Sequence, residues 1–429
     1  MQHSANDDDR RWMAAALTLA RRAVGRVAPN PAVAALLVRD GRLLARGITA
    51  HGGRPHAEAV ALADAVARHV PVTGATAYVT LEPCAHHGLT PPCAGALAAA
   101  GIARVVCPIE DPDPRVSGRG FDALRRRGVD VVTGVCAERA ESVNAGFLSR
   151  IRRSRPFVTL KLASTLDGRI ATATGESRWI TGPAARRRVH LMRMQTDAVL
   201  VGAGTARADD PMLDVRGYGA DVTQPLRVVA DPRLSLDPAS RLVRTARSQP
   251  LLVAHLADLV HEDPDGAARI AAFQKAGVIL LPVPAEPRNA SGAPRTEAEG
   301  VVATSEDPAA PDSGSVQPVS IRQGHRSVGG VQASGALDLS ALLEAMAARG
   351  VGSVLVEGGG TLAAALIAGG LVDRLVMFSA GAVIGSDGHA AVGALGLEQL
   401  AAAPRFRRTE VSIEGSDVMS TWEPTSPGI

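Results

Sequence analysis

The chain has 429 residues, more than one hydrophobic core usually organises, so two or three domains are expected. An apolar fraction of 46% with 21% charged residues is ordinary for a folded protein and excludes a disordered chain. The net charge of +3 is too small for a nucleic-acid footprint, and neither a secretory signal nor a membrane span is visible. We therefore expect a cytoplasmic protein that acts on small molecules, with neither nucleic acid nor a membrane as its partner.

Strand and helix patterns alternate along most of the chain. Apolar residues at helical spacing predict a first helix over about residues 8–25, and the Asp-Gly pair at residues 40–41 between two apolar runs predicts a β-hairpin. Alternating patterns then continue to about residue 135, and a second such block begins near residue 155. The sequence thus predicts two α/β units, each a sheet with covering helices, joined between residues 147 and 156.

The second block is interrupted by residues 284–335, which are rich in Pro, Ser, Ala, Gly and acidic residues. This composition, with hardly any apolar periodicity, predicts a disordered surface insertion without a function of its own. In a reducing cytosol a disulfide framework is not expected. Cys107 and Cys136 lie in or beside apolar strand-like runs, and we assign both to packing.

Two short stretches place zinc-type ligands in rigid settings. PHAEA carries His56 and Glu58, and PCAHHGLTPPC carries Cys84 and Cys93. Zinc favours His nitrogen and Cys thiolate, and a catalytic zinc keeps three protein ligands and one open position for water. Each stretch opens a predicted helix, whose free N–H groups and dipole favour a thiolate. The sequence therefore predicts a zinc site at one edge of the first sheet.

The pattern H-x-E followed by P-C-x-x-C is typical of zinc deaminases, in which the glutamate moves protons and is not a ligand. Here eight residues separate the two cysteines, which leaves His86 or His87 as competing ligands. A structural zinc site would ordinarily have four protein ligands, and Glu58 beside a ligand argues against it. The hypothesis is that zinc lowers the pKa of its water, Glu58 takes the proton, and an exocyclic ring amine leaves as ammonia.

Further motifs run from APNPAV and HGGRPHAEAVAL through LEPCAHHGLTPPC, DPDPRVSGRG and RPFVTLKLASTLDGRIA to SRWITG, DAVLVGAGTARADDPMLDVR and VEGGGTL. With them the sequence resembles the bifunctional pyrimidine deaminase/reductase family of riboflavin biosynthesis, in which the eight-residue gap between the cysteines is usual. The resemblance implies a cytidine-deaminase-like three-layer domain over residues 1–150. It implies a dihydrofolate-reductase-like α/β domain over residues 151–429.

By this resemblance, the first domain uses zinc to deaminate 2,5-diamino-6-ribosylamino-4(3H)-pyrimidinone 5′-phosphate. The second domain then uses NADPH to reduce the ribosyl side chain of the resulting uracil to ribityl. The resemblance implies that His56, Cys84 and Cys93 bind zinc and that Glu58 is the proton shuttle. The implied residues of the deaminase pocket are Asn30 and His51.

In the second domain, the resemblance implies substrate contacts at Ser177, Arg193, Leu213, Arg216 and Glu357. The implied cofactor contacts are Ala163, Trp179, Thr205, Asp209, Gly359 and Gly360. A guanidinium fork suits a phosphate, which is the chemical reason to select the two arginines. By residue habit alone, Trp179 would be a core aromatic and Asp209 a turn residue. The glycines after Glu357 suit either a phosphate cradle or a plain loop.

Two other readings of the sequence stay open. One is a deaminase of nucleosides or nucleic-acid bases, which would leave the second α/β half unexplained. The other is a non-catalytic, zinc-stabilised interaction module that uses the insertion as a partner site; such a module would not need Glu58. One departure from the family is Ala34, where glycine is common, and its methyl group is expected to tighten packing below the zinc pocket. A homo-oligomer, either dimer or tetramer, is expected.

Overall fold

The computed structural model describes residues 6–85, 91–219, 222–259, 263, 265–287 and 335–425. The competing ligands His86 and His87 lie outside these residues, as does the predicted insertion apart from its two ends. No helix in the described part of the chain is long and apolar enough to cross a bilayer.

The first sheet has five strands in the spatial order β2-β1-β3-β4-β5. Its strands are β1 (Ala34–Arg39), β2 (Arg42–Ile48), β3 (Thr76–Val79), β4 (Arg104–Cys107) and β5 (Asp130–Thr133). The helices of this half are α1 (Asp7–Ala20), α2 (Ala57–Ala67), α3 (Cys93–Ala99), α4 (Arg119–Arg125), α5 (Ala137–Val143) and α6 (Ala145–Arg153). β1 is antiparallel to both neighbours, whereas β3, β4 and β5 are parallel.

Local sequence signals account for the first elements. The Asn6 side chain caps α1 by accepting the Asp9 N–H at 2.8 Å, and the Asp9 carboxylate accepts the Asn6 N–H in return. The predicted hairpin is present, because Asp40 and Gly41 both adopt positive φ (53° and 70°) between β1 and β2. Such a pair matches the twist of antiparallel strands.

The sheet separates two apolar clusters. One cluster lies under α2 and α3, the helices that carry the zinc-type residues, and under α4, and it includes the fully buried Cys107. The other lies under α1 and contains Ala34, so its methyl group faces away from the zinc helices and does not tighten packing below them. Cys136 is half-buried at the start of α5 and packs against this second cluster.

The second sheet has nine strands in the order β11-β10-β9-β8-β12-β6-β13-β16-β15. Its strands are β6 (Phe157–Thr165), β8 (Ala198–Gly202), β9 (Leu226–Ala230), β10 (Leu251–Leu256), β11 (Ile279–Val283), β12 (Ser353–Val356), β13 (Arg374–Ala380), β15 (Phe406–Glu414) and β16 (Asp417–Pro424). A separate pair is formed by β7 (Arg169–Ala171) and β14 (His389–Ala390). All neighbours from β11 to β13 are parallel, so seven strands end at the same edge.

The helices of the second half are α7 (Pro183–Met194), α8 (Ala203–Asp209), α9 (Arg241–Arg244), α10 (Gly266–Ala276), α11 (Leu339–Ala348) and α12 (Gly360–Ala368). One large apolar cluster packs them against the sheet. At the junction of the halves, the buried Asp373 carboxylate accepts hydrogen bonds from Arg155 at 2.7 and 2.8 Å and from Arg153 at 2.6 Å. Both arginines belong to the arginine-rich segment of residues 152–155, which its charge alone would predict to lie on the solvent-exposed surface.

Candidate active sites

Three zinc-type side chains converge at the starts of α2 and α3. His56 Nδ1 lies 3.7 Å from Cys84 Sγ and 3.5 Å from Cys93 Sγ, and all three ligand atoms lie within 4.8 Å of one another. His56 is the residue before α2, Cys93 is the first residue of α3, and the Cys93 N–H donates to Cys84 Sγ at 3.3 Å. One imidazole and two thiols at this separation form the donor set that tetrahedral zinc prefers.

The local electrostatics favour a metal-ready site. Hydrogen bonds from the Cys93 thiol and from His56 lower the pKa of Cys84 to about 4, so this sulfur is a thiolate at neutral pH. The hydrogen bond to Cys84 raises the pKa of His56. Burial raises the pKa of Glu58 to about 7. A carboxyl group in that range can both accept and donate a proton near neutral pH.

A cavity of about 280 Å³ opens in front of this cluster, which is the size of a small-molecule site. Its lining includes Asn30, His56, Glu58, Cys84, Asp111 and Arg150. The predicted pocket residue Asn30 therefore lines the cavity. Gly53 is required beside it, because an added Cβ would lie 1.9 Å from Asn30 Nδ2. His51 is not among the lining residues; its exposed ring lies 3.0 Å from the Thr223 hydroxyl of the second half.

Glu82 fixes the far wall of this cavity. Its buried carboxylate accepts four backbone N–H groups from the loop before α4 and from the first turn of α4: Asp111 at 3.1 Å, Gly118 at 3.0 Å, Gly120 at 2.8 Å and Phe121 at 3.4 Å. The loop packs so closely that a Cβ on Gly120 would lie 2.0 Å from the Pro83 carbonyl oxygen. Because Glu82 is two residues from Cys84, it ties the cavity wall to the loop that carries a zinc-type ligand.

In the second half, the predicted substrate residues lie around the carboxyl ends of β8 and β12. Arg193 on α7 and Glu357 after β12 form a largely buried ion pair with Nε–Oε1 at 2.6 Å and Nη2–Oε2 at 3.0 Å. Arg193 Nη1 also donates to the Asp214 carbonyl oxygen at 2.9 Å. Arg216 is 64% exposed and pairs with the Asp214 carboxylate at 3.2 Å. Hence Arg216 is the better placed of the two arginines to meet a phosphate.

The two remaining predicted substrate residues differ in exposure. Leu213 is 2% exposed and has a positive φ of 54°, whereas Ser177 is half-buried. Leu213 lies in the loop between β8 and β9, and Ser177 lies between β7 and α7. The two come from chain segments on either side of α7, the helix that carries Arg193.

The predicted cofactor residues share one edge of the second sheet. Gly359 precedes α12 and Gly360 begins it, and the Gly359 N–H donates to the Thr205 hydroxyl at 3.0 Å. Trp179 is 72% exposed, so it is not a core aromatic, and the Arg186 guanidinium lies 4.4 Å from its ring centroid. The other two are Ala163 in β6 and Asp209 at the end of α8. An exposed indole and a helix that begins at glycine are two separate features that suit a nucleotide cofactor.

Sequence reasoning missed Lys161, Glu82 and Asp111. Burial lowers the pKa of Lys161, whose ammonium lies in the field of Glu357 and Asp209. A lone lysine in the apolar run FVTLKLAST was a visible signal for it. Burial raises the pKa of Asp111 to about 6 at the cavity wall. Glu82 had no local signal, since its partners lie 29 to 39 residues away.

Comparison with known proteins matches each half to a family. The family described as "Cytidine and deoxycytidylate deaminase zinc-binding region" matches residues 6–109. The family described as "RibD C-terminal domain" matches residues 156–264 and 250–420. Together the two matches cover residues 6–109 and 156–420.

Similar full-length proteins are also known. Riboflavin biosynthesis protein RibD of Escherichia coli is 37% identical over 421 residues, which are 96% of this chain and 98% of that protein. A structure of RibD from Acinetobacter baumannii is 32% identical with a TM-score of 0.74, covering 97% of this chain and 99% of that one. A structure from Thermotoga maritima, described as a diaminohydroxyphosphoribosylaminopyrimidine deaminase/5-amino-6-(5-phosphoribosylamino)uracil reductase, is 30% identical with a TM-score of 0.75. It covers 97% of this chain and 99% of that one.

Fold and sites together define a bifunctional enzyme, in which a deaminase domain of a zinc-binding family is followed by a reductase domain. The chain belongs to the RibD family of riboflavin biosynthesis proteins. Its reactions are a deamination followed by a reduction in riboflavin biosynthesis. The predicted fold class, a cytidine-deaminase-like domain followed by a dihydrofolate-reductase-like α/β domain, is confirmed.

Proposed function

We propose that the first site deaminates 2,5-diamino-6-ribosylamino-4(3H)-pyrimidinone 5′-phosphate and that the second site reduces the ribosyl chain of the product with NADPH. The observation that carries the proposal is the convergence of His56, Cys84 and Cys93 next to a small-molecule cavity that is lined by His56, Cys84 and the buried Glu58. The T. maritima relative is named for a deaminase and a reductase of this kind. Both reactions would take place in the cytoplasm.

In the deaminase, His56, Cys84 and Cys93 would hold zinc, because they supply the three nitrogen and sulfur donors of a catalytic site. Zinc held there supplies a water activated at neutral pH. Glu58 accepts the proton of the attacking water and returns protons to the ring nitrogen and the leaving amine. Its pKa near 7 suits both steps. Asn30 and Asp111 at the cavity wall offer hydrogen-bonding groups to the pyrimidine.

In the reductase, the NADPH diphosphate would lie at Gly359 and Gly360, where the nine-residue helix α12 begins. Trp179 offers an exposed face to the cofactor. Arg216 binds the phosphate of the substrate, and Glu357 is held by Arg193 at the same edge. NADPH supplies the hydride when bound; these residues orient the two reactants.

A coupled assay tests the proposal. The diaminopyrimidine ribosyl phosphate and NADPH are supplied to the purified protein, and ammonia release and NADPH absorbance are followed together. Ammonia should appear first, NADPH oxidation should follow, and zinc chelation should stop both. With supplied deaminated substrate, chelation should leave reduction intact, because the reductase residues are separate from the zinc-type cluster.

Glu58→Gln provides the matched variant. It should keep zinc at one equivalent per chain and keep reduction, while deamination falls by at least about 100-fold, the usual size of an acid–base contribution. A non-catalytic zinc module predicts that the wild-type protein releases no ammonia from this substrate. Full deamination by Glu58→Gln would refute the assigned role of this carboxylate.

A further inference from the structure

The strand order of the second sheet sets the direction of the proposed cofactor; this inference rests on the proposed NADPH-dependent reduction. At the carboxyl edge the order is β9, β8, β12, β6. The proposed substrate residue Glu357 follows β12 and the proposed cofactor residue Ala163 lies in the adjacent β6, which would place the nicotinamide over these two strands. The proposed diphosphate position is at Gly359, whose N–H donates to Thr205 of α8. The adenosine end therefore extends across β8 toward β9.

Arg207 lies where that adenosine end would arrive. It is exposed on α8, the helix that follows β8, and its Nη1 donates to the hydroxyl of Ser235 in the turn after β9. The side chain thus bridges the gap between the ends of β8 and β9, which are about 5 Å apart. Among the described residues, no carboxylate forms a salt bridge with Arg207. Within the described part of the chain, its guanidinium has a neutral hydroxyl as its hydrogen-bond partner and its positive charge is not neutralised by an ion pair.

The carboxylate of Asp231, the residue after β9, already accepts two hydrogen bonds from within the protein. Asp231 is 1% exposed, and its Oδ1 accepts the Ser235 hydroxyl at 2.9 Å while its Oδ2 accepts the Leu236 N–H at 2.8 Å. In Rossmann-type cofactor sites, NADH is commonly selected by a free carboxylate that binds the ribose 2′-hydroxyl, and NADPH by an arginine that accommodates the 2′-phosphate. The same chemistry of recognition applies to any site that meets this end of the cofactor. This edge presents the arginine.

We propose that Arg207, positioned by the Ser235 hydroxyl, binds the 2′-phosphate of the adenosine ribose and makes the reductase select NADPH over NADH. The 2′-phosphate is close to doubly charged at neutral pH and accepts several hydrogen bonds. The guanidinium of Arg207 offers paired donors to it, while the Ser235 hydroxyl, which donates to Asp231, holds the arginine side chain in place. The same arginine has no matching group on NADH, so the contact contributes to discrimination as well as to affinity.

The test measures binding alone, on the full-length protein, without either reaction. Dissociation constants for NADPH and NADH are measured by calorimetry, together with those for adenosine 2′,5′-bisphosphate and adenosine 5′-monophosphate. Wild type should bind each 2′-phosphorylated ligand about tenfold or more tightly than its partner, the scale of a hydrogen bond to a charged group. Arg207→Ala should abolish most of that difference and change NADH affinity less than twofold. Arg207→Lys should be intermediate.

The control is Arg349→Ala, which removes an exposed arginine at the end of α11, on the opposite edge of the sheet. It should retain the wild-type preference. Equal affinity of wild type for NADPH and NADH, or equal weakening of both by Arg207→Ala, would overturn the inference while leaving the reductase assignment intact. Absence of binding for both cofactors would instead overturn the proposed cofactor and this inference with it.

Discussion

Glu357 holds the guanidinium of Arg193 through two parallel hydrogen bonds, from Nε at 2.6 Å and from Nη2 at 3.0 Å. The partners are separated by 164 residues, and each side chain is less than one-seventh exposed. Their pairing joins α7 to the loop after β12. The sequence resemblance implied two separate substrate contacts, whereas in the structure the two side chains bind each other.

We expect Arg193→Ala to lower the free energy of unfolding of the second domain by about 3 kcal/mol or more, because it strands a buried carboxylate. Changing Glu357 to Leu in the same chain should recover part of this loss, since the unpaired charge is then gone. Thermal unfolding followed by circular dichroism measures both effects. If the double variant were as unstable as the sum of the single variants, the two side chains would be energetically independent.

Arg216→Ala should act on substrate affinity rather than on the fold. Arg216 is 64% exposed, and its ion pair with Asp214 is worth little to stability at that exposure. Loss of one charged phosphate contact should raise the KM of the reductase for its phosphorylated substrate about tenfold or more. Steady-state kinetics with supplied deaminated substrate gives this value, and the melting temperature should stay at that of wild type. An unchanged KM would place the phosphate elsewhere.

Glu82→Gln should disturb the deaminase pocket without removing the zinc ligands. The amide has one acceptor oxygen where the carboxylate has two, so its NH₂ group would face N–H donors of the 111–121 loop. The wall that carries Asp111 should shift, and the KM for deamination should rise about tenfold or more. Zinc content and NADPH-dependent reduction serve as internal readouts that should not change.

Glu110→Gln is the matched control for that change. Glu110 is exposed and, among the residues that the structure describes, accepts a hydrogen bond only from the Ser117 hydroxyl, at 2.7 Å, so deamination by this variant should equal that of wild type. A fall in zinc content in Glu82→Gln would show that this carboxylate supports the metal site instead of the cavity wall. Unchanged kinetics in both variants would remove Glu82 from any positioning role.

Asp9 should stabilise the first domain in a pH-dependent way. Burial alone would raise the pKa of this carboxyl, but hydrogen bonds from Arg104 at 2.7 and 2.9 Å, from the Asn6 N–H and from Tyr78 at 3.0 Å outweigh it and lower the pKa. A lowered folded-state pKa stabilises the fold above the unfolded value of 3.8 and loses that contribution as the pH falls through the folded value. Protonation of Asp9 should therefore contribute to the loss of stability of the wild-type first domain in acid.

Asp9→Asn should lower stability at pH 7 by about 2 kcal/mol or more, because Arg104 loses a buried charged partner. Its deficit relative to wild type should shrink as the pH falls below the unfolded-state value of 3.8 toward the lowered folded-state pKa, below which the wild-type carboxyl is also neutral. Urea unfolding across pH 3 to 7 measures the difference. Asp7→Asn, on the fully exposed Asp7 of the same helix, should show neither effect. A deficit independent of pH would mean that packing rather than charge is lost.

The elements that could be predicted from the sequence are those that depend on residues close together in the chain. The helix α1, the Asp40–Gly41 turn and the alternation of strands and helices were predicted from patterns a few residues long, and each is present. The proposed zinc ligands could be predicted from the sequence because His56 lies two residues before Glu58 and each cysteine directly follows a proline. Glu82, by contrast, acts through backbone groups far along the chain, and no local pattern encodes such a partner. Exposure of Trp179 likewise depends on tertiary packing.

The predicted insertion can be tested because its two ends meet in the fold. The Glu286 N–H donates to the Ala336 carbonyl oxygen at 2.8 Å, and Ala285 and Leu337 form an antiparallel bridge. Residues 288–334 themselves lie outside the described part of the chain. A short linker can therefore join the two sides without moving β11 or α11, since loop-closure entropy favours the shorter connection slightly.

Replacing residues 288–334 with a Gly/Ser linker of about four residues should leave deamination, reduction and the melting temperature at wild-type values or slightly raise the last. Leu337→Ala is the positive control, because Leu337 is 5% exposed within the main apolar cluster and its truncation should cost about 2 to 5 kcal/mol. The coupled assay and thermal unfolding are run on both variants. Loss of reduction by the linker variant alone would assign the segment a role at the reductase site, and a fall in melting temperature as large as that of Leu337→Ala would make it part of the fold.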